Sequence, residues 1–126
     1  MKKNSYLLYL LSITLLFSCQ KEDGKIDFTF LQINDVYEIA PIQGGEFGGM
    51  ARVETVHKEL LKENKNTMLF LAGDFLNPSL LGTLKVDGER VHGKQMIEVL
   101  NMMHTDLVAF GNHEFDVSKK DLQKRL

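Results

Sequence analysis

The chain reads as an α/β protein built on a mainly parallel sheet. Three observations predict this: three short apolar runs, two amphipathic segments lying between them, and strict alternation of the two kinds along the chain. The apolar runs are nearly continuous instead of alternating with polar residues. That pattern predicts strands covered on both faces.

The elements begin after a distinct leader. Lys2 and Lys3 precede the apolar stretch Tyr6 to Phe17, which is shorter than the roughly 20 residues a membrane-spanning helix needs. It has the length of a signal-peptide apolar region. Leu16-Phe17-Ser18-Cys19 then resembles the lipobox of bacterial lipoproteins, in which the cysteine becomes the lipidated first residue. Residues 1–18 are therefore expected to be a lipoprotein signal peptide and residues 19–26 a lipidated tether. The chain is expected to be exported and held on a bacterial outer membrane, periplasmic or surface-exposed, through Cys19. Gln20-Lys21-Glu22-Asp23 resembles an export signal of surface lipoproteins, and a plain polar tether predicts the same residues. Cys19 is the single cysteine, so no internal disulfide can form. Without residues 1–18 the chain carries 13 basic and 17 acidic residues, a formal charge of −4. No basic patch or aromatic-interleaved stripe is present, which argues against a nucleic-acid polymer as partner.

From residue 27 onward the alternation begins. Phe28-Thr29-Phe30-Leu31-Gln32-Ile33 is the first strand. Met50 to Asn64 follows as a helix, with Met50, Val53, Val56, His57, Leu60 and Leu61 at helical spacing and charges opposite. Gly48-Gly49 precedes it, and Asn64-Lys65-Asn66 closes it. Thr67 to Ala72 is the second strand, and the stretch from Gly82 to Gly93 reads as a loop. Lys94 to Met103 is the second helix, with Met96, Ile97, Val99, Leu100 and Met103 on one face. Leu107 to Phe110 is a third, shorter strand. Ser118 and Asp121 then form a capping-box-like start of another helix.

Each strand ends in residues able to hold a metal. Asn34-Asp35-Val36-Tyr37-Glu38 follows the first, Gly73-Asp74 the second, and Gly111-Asn112-His113-Glu114-Phe115-Asp116 the third. Parallel strands share one carboxyl edge, where open α/β sheets bind ligands. Asp35, Asp74, Asn112 and His113 can therefore converge across long sequence separations. Carboxylate, amide and imidazole donors suit Mn²⁺, Zn²⁺ or Fe²⁺, and Mg²⁺ or Ca²⁺ remain open. A carboxylate set between two such ions can bridge them about 3.5–4 Å apart. Asp116 lies three residues after His113, close enough to hold its other ring nitrogen and set its tautomer. Glu114 reads as a structural residue of the turn. His57 and His104 read as structural, and nothing specific assigns His92 a ligand role.

The motifs I-N-D at 33–35, G-G-M-A-R at 48–52, G-D at 73–74 and G-N-H-E-F-D at 111–116 resemble the N-terminal part of the 5′-nucleotidase family. That family belongs to the calcineurin-like metallophosphoesterases. The resemblance runs from about Asp27 to the end of the chain. It implies a parallel-strand-rich β-sandwich flanked by helices, of which residues 27–126 supply the first βαβαβ portion. It implies two divalent metal ions as cofactors, with Asp35 on the first, Asp74 bridging both and Asn112 on the second. His113 would meet the phosphoryl group, oriented by Asp116, so Asn112 and His113 also bind substrate. The two glycine pairs at 44–45 and 48–49 would form the loop that brings the first helix to the site.

Two departures from the family pattern stand out. Tyr37 takes the place of a commoner histidine ligand; it can bind a metal as phenolate, but an unperturbed pKa near 10 makes it a poor default ligand. Further histidine ligands and a nucleoside-binding C-terminal domain would come from a missing half of the parent protein. The expectation is a fragment of a two-metal phosphohydrolase that is inactive or nearly so by itself. Its parent would cleave nucleoside 5′-monophosphates to nucleoside and phosphate. The alternatives are 2′,3′-cyclic nucleotides or nucleotide sugars as substrates, or a non-catalytic lipoprotein that binds a nucleotide or metal.

Overall fold

A computed structural model describes residues 24–125. The leader, the lipidation candidate Cys19 and the start of the tether lie outside the described residues. In chain order the elements are strand β1 (Thr29–Ile33), helix α1 (Met50–Glu63), β2 (Thr67–Ala72), β3 (Lys85–Val86), β4 (Glu89–Arg90), α2 (Lys94–Met102), β5 (Leu107–Ala109) and helix α3 (Lys119–Gln123).

The main sheet is parallel throughout, in the order β1-β2-β5. Thr29 pairs with Thr67 and Ile33 with Leu71, while Phe70 pairs with Leu107 and Ala72 with Ala109. Both crossovers step across the sheet in the same direction. Right-handed connections of that kind place both helices on the same face. The core sits there, formed by Met50, Leu69, Leu71, Phe75, Leu76, Met96, Leu100 and Met103.

Local chemistry sets the boundaries. Helix α1 begins after Gly49, whose φ of 95° departs from the helix, and stops at Asn64 in an extended conformation. The Asn64 side chain donates through Nδ2 to the Asp27 carbonyl at 3.0 Å and to Thr29 Oγ1 at 3.2 Å, tying the helix end to the start of β1. Asp106 anchors the start of β5 by accepting from the Leu69 amide at 2.8 Å. Ser118 caps α3, accepting from the Asp121 amide at 3.1 Å and donating to the Asp121 carboxylate at 2.8 Å. This is the capping arrangement that the Ser118 and Asp121 spacing predicts.

Two expectations need correction. The strands were expected to be covered on both faces, but among the described residues only the helix face of the sheet is covered. The period of two in a strand sends Leu69 and Leu71 to the core, and Phe70 to the other side. That side also shows Phe28, Phe30 and Leu107, which are 57%, 62% and 59% exposed. Their rings form a row, with centroids 6.3 Å apart for Phe28 and Phe30 and 5.3 Å for Phe30 and Phe70. The second correction concerns the stretch from Gly82 to Gly93. It holds the antiparallel hairpin β3–β4, turned at Asp87 and Gly88 with φ of 52° and 82°. Two left-handed residues in sequence suit a two-residue hairpin, and Asp-Gly is its strongest sequence sign.

Candidate active site

Because the three strands are parallel, their carboxyl ends meet at one edge of the sheet. The loops that leave them are joined by bonds from main-chain amides. The Asp35 amide donates to the Gly73 carbonyl at 3.1 Å, linking the exits of β1 and β2. The His113 amide donates to Asp74 Oδ1 at 2.9 Å, linking the exits of β2 and β5. Asp35 and Asp74 both sit in the left-handed region, at φ of 53° and 57°. Aspartate tolerates that conformation better than most residues.

The loops after β2 and β5 pass unusually close. A Cβ at Gly73 would lie 2.9 Å from Gly111 Cα, and one at Gly111 would lie 2.8 Å from the Asp74 nitrogen. Only glycine at both positions lets Asp74 reach the turn that carries Asn112 and His113. That turn, His113–Asp116, is one round of 3₁₀ helix.

Glu114 locks the two loops together. Its side chain is fully buried. Oε2 accepts from the amides of Asp74 (2.8 Å) and Gly111 (2.6 Å), and Oε1 from those of Phe75 (2.7 Å) and Leu76 (3.1 Å). Burial alone would raise the pKa of this carboxyl, but the four amide donors outweigh it and hold it below the ordinary value. Asp74 and the turn therefore grip each other: Glu114 holds the Asp74 amide, and Asp74 holds the His113 amide. Sequence reasoning placed Glu114 in a structural role but missed this bridging reach. The signal available was a carboxylate three residues after a glycine at the head of a helical turn, the spacing at which an acid reaches back to an amide.

His113 and Asp116 lie side by side on the turn, with Nδ1 2.6 Å from Asp116 Oδ2. A carboxylate accepts, so Nδ1 bears the proton. The bond to Asp116 raises the His113 pKa, partial burial works against it, and the charges of Asp116 and Asp74 add to the rise. Nε2 then carries a proton only in the imidazolium form, which the raised pKa extends to higher pH. Tyr37 comes next to both outer loops. Its hydroxyl donates to Asp35 Oδ1 at 3.3 Å, and its ring meets His113 edge-on with centroids 6.2 Å apart. Burial and the Asp74 and Asp35 carboxylates push the phenol above its usual pKa. Asn34 donates through its amide nitrogen to Asp35 Oδ2. Asn112 is exposed at the head of the 3₁₀ turn.

The glycine loop is organised by Arg52, whose guanidinium donates to the carbonyls of Gly45, Glu46 (3.3 Å) and Gly48 (3.2 Å). Sequence reasoning quoted Arg52 within its motif without seeing this role. The other histidines sit elsewhere. His57 is buried with Nδ1 3.5 Å from Glu54 Oε2, and His104 lies two residues past the end of α2 in a left-handed conformation. His92 faces Asp121 of α3 at 3.4 Å.

The donor set at the edge consists of the Asp35 and Asp74 carboxylates, the Asn112 amide and the His113 imidazole. Oxygen-rich donors of this kind fit divalent cations. Among the described residues no group of three or more His, Cys, Asp or Glu side chains is placed to hold an ion by itself.

Residues 28–126 match the family model described as calcineurin-like phosphoesterase. The chain is also similar to several curated proteins. One is Protein 5NUC of Lutzomyia longipalpis, 32% identical over 116 residues, covering 79% of this chain and 19% of that protein. Another is the snake venom 5′-nucleotidase of Naja atra, 29% identical over 102 residues, covering 74% of this chain and 18% of that protein. A third is a probable 5′-nucleotidase of Treponema pallidum, 30% identical over 125 residues, covering 88% of this chain and 20% of that protein. The chain spans about a fifth of the length of these relatives.

Proposed function

The chain belongs to the calcineurin-like phosphoesterase family, and from that premise we propose that it supplies one side of a two-metal centre hydrolysing nucleoside 5′-monophosphates to nucleoside and phosphate. The observation that carries this reading is the meeting of three strand exits at one edge, with Asp74 and the His113 turn held to each other through backbone amides. The names of the relatives from Naja atra and Treponema pallidum support a nucleotide substrate.

In this reading Asp35, Asp74 and Asn112 would be among the side chains that hold the two ions. When bound, such ions would supply Lewis-acid polarisation of the phosphoryl group and offset the charge that develops on its oxygens. His113 donates from Nε2 to a phosphoryl oxygen while Asp116 keeps the ring oriented and protonated at Nδ1. Glu114 fixes the spacing of Asp74 and Asn112 by holding the amides around them. In this reading further ligands and the nucleoside contacts would come from chain beyond residues 19–126, in keeping with the fifth of its relatives' length that the chain spans, so residues 19–126 alone should release little or no phosphate.

The deciding experiment is phosphate release from a nucleoside monophosphate by the full-length protein with added Mn²⁺, beside its metal content. Two bound ions and a loss of about 10²–10³-fold in kcat for His113→Ala support the enzyme. Tight nucleotide binding without hydrolysis would make the protein a binder instead. Robust turnover by residues 19–126 alone would show that no outside ligands are needed. The reading also places the protein on a membrane through a lipid on Cys19. Cys19→Ser should move it from the membrane fraction to the soluble fraction, and an unchanged distribution would remove the anchor from the proposal.

A further inference from the structure

Tyr37 is the residue at this edge that touches both outer loops. Its hydroxyl lies 3.3 Å from Asp35 Oδ1 on the exit of β1. A carboxylate has no proton to give, so the phenol is the donor. Asn34 donates to the other oxygen of Asp35. With a donor on each oxygen, the Asp35 carboxylate cannot turn about its own axis without breaking a bond. On its other side the Tyr37 ring meets His113, on the exit of β5, at an interplanar angle of 80°. That edge-on arrangement is the favoured one for two ring systems and restricts the tilt of both. Strand β2 lies between β1 and β5 in the sheet, so Tyr37 reaches across the central strand from one outer loop to the other.

We infer that Tyr37 is a positioning residue, holding Asp35 through its hydroxyl and His113 through its ring, and so coupling the two outer loops of the centre. The inference rests on the proposed function for what Asp35 and His113 do, while the contacts stand without it. Tyr37 works as a hydrogen-bond donor to a ligand residue, not as a ligand itself.

Two variants of the full-length protein separate the contacts. Tyr37→Phe removes the hydroxyl and keeps the ring, and Tyr37→Leu removes both. Mn²⁺ alone, titrated calorimetrically, should bind roughly tenfold more weakly at one site in either variant, as expected when a ligand loses its supporting partner. In proton NMR the His113 ring resonances should stay in place in the phenylalanine variant and move in the leucine variant. The phenylalanine variant should lose kcat on a nucleoside monophosphate while KM stays within about twofold, because Tyr37 supports Asp35 and does not bind the nucleoside.

Unchanged Mn²⁺ affinity in Tyr37→Phe would overturn the hydroxyl half of the inference. Unmoved His113 resonances in Tyr37→Leu would overturn the ring half. A phenolate difference band on adding Mn²⁺ to the unsubstituted protein would make Tyr37 a ligand and overturn the assignment. If the leucine variant does not fold, the phenylalanine variant still decides the hydroxyl contact. An unsubstituted protein that binds no Mn²⁺ would count against the proposed function, and the NMR comparison would still decide the contact with His113.

Discussion

Glu114 shows how much one side chain carries at this edge. Its two oxygens serve four amides from two loops, all in a buried setting. Glutamine keeps the shape but turns an NH₂ toward two of those amides, leaving donors without acceptors. Glu114→Gln should therefore destabilise the fold by about 2–4 kcal/mol, measured by urea unfolding. The pH dependence has a definite sign. The folded pKa lies below the ordinary value of 4.5. The stabilisation is thus fully present above 4.5 and is lost as pH falls through the lower folded value. Urea midpoints should drop in acid more steeply for the unsubstituted protein than for Glu114→Gln. The opposite sign holds at His113, whose folded pKa is raised above 6.5 by Asp116. In the metal-free protein an NMR titration should find it above that value, and Asp116→Asn should bring it down. The alkaline fall of kcat/KM should move to lower pH in the same variant, because donation from Nε2 needs the imidazolium.

At the scale of elements, the site depends on two loops that approach to backbone contact. Gly73→Ala sets a Cβ 2.9 Å from Gly111 Cα at a φ of 85°. That clash and strain should cost about 1–3 kcal/mol and weaken divalent-cation binding together, seen by thermal unfolding and calorimetry. The regular elements were legible in the sequence because their signals are local. Periodicity and glycine punctuation give α1, α2 and the three parallel strands to within a residue or two. Asp35, Asp74 and His113 were legible as candidates because each lies within four residues of a strand's end. Arg52 was not, since its partners are carbonyls, which leave no mark in residue types, and of Glu114 only the structural role was legible, not its reach to the amides of the neighbouring loop. The hairpin at Asp87-Gly88 was legible but missed, its strands being only two residues each. The open sheet face was misread for another reason. A continuous apolar run says that both faces are greasy, not which chain segment lies over each.

For the molecule as a whole, that open face sets its behaviour in solution. Phe28, Phe30, Phe70 and Leu107 form an apolar strip with no covering layer among the described residues. Strips of this kind drive association. Residues 19–126 expressed alone should bind a hydrophobic dye and be poorly soluble. A monomeric sample with a cooperative thermal transition would contradict this. The opposite concern governs the strand-exit edge, where the carboxylates of Asp74, Glu114 and Asp116 act on the His113 imidazole and Asp35 lies beside Tyr37. Such a concentration of negative charge repels a phosphate dianion and draws cations. It therefore dictates an order of arrival. Under the proposed function divalent ions would dock before a nucleotide could approach, so nucleotide affinity should be slight in a chelator and rise in step with cation occupancy. The same carboxylates that make the edge a candidate centre would, in that function, keep it closed to a phosphate ester until cations are bound.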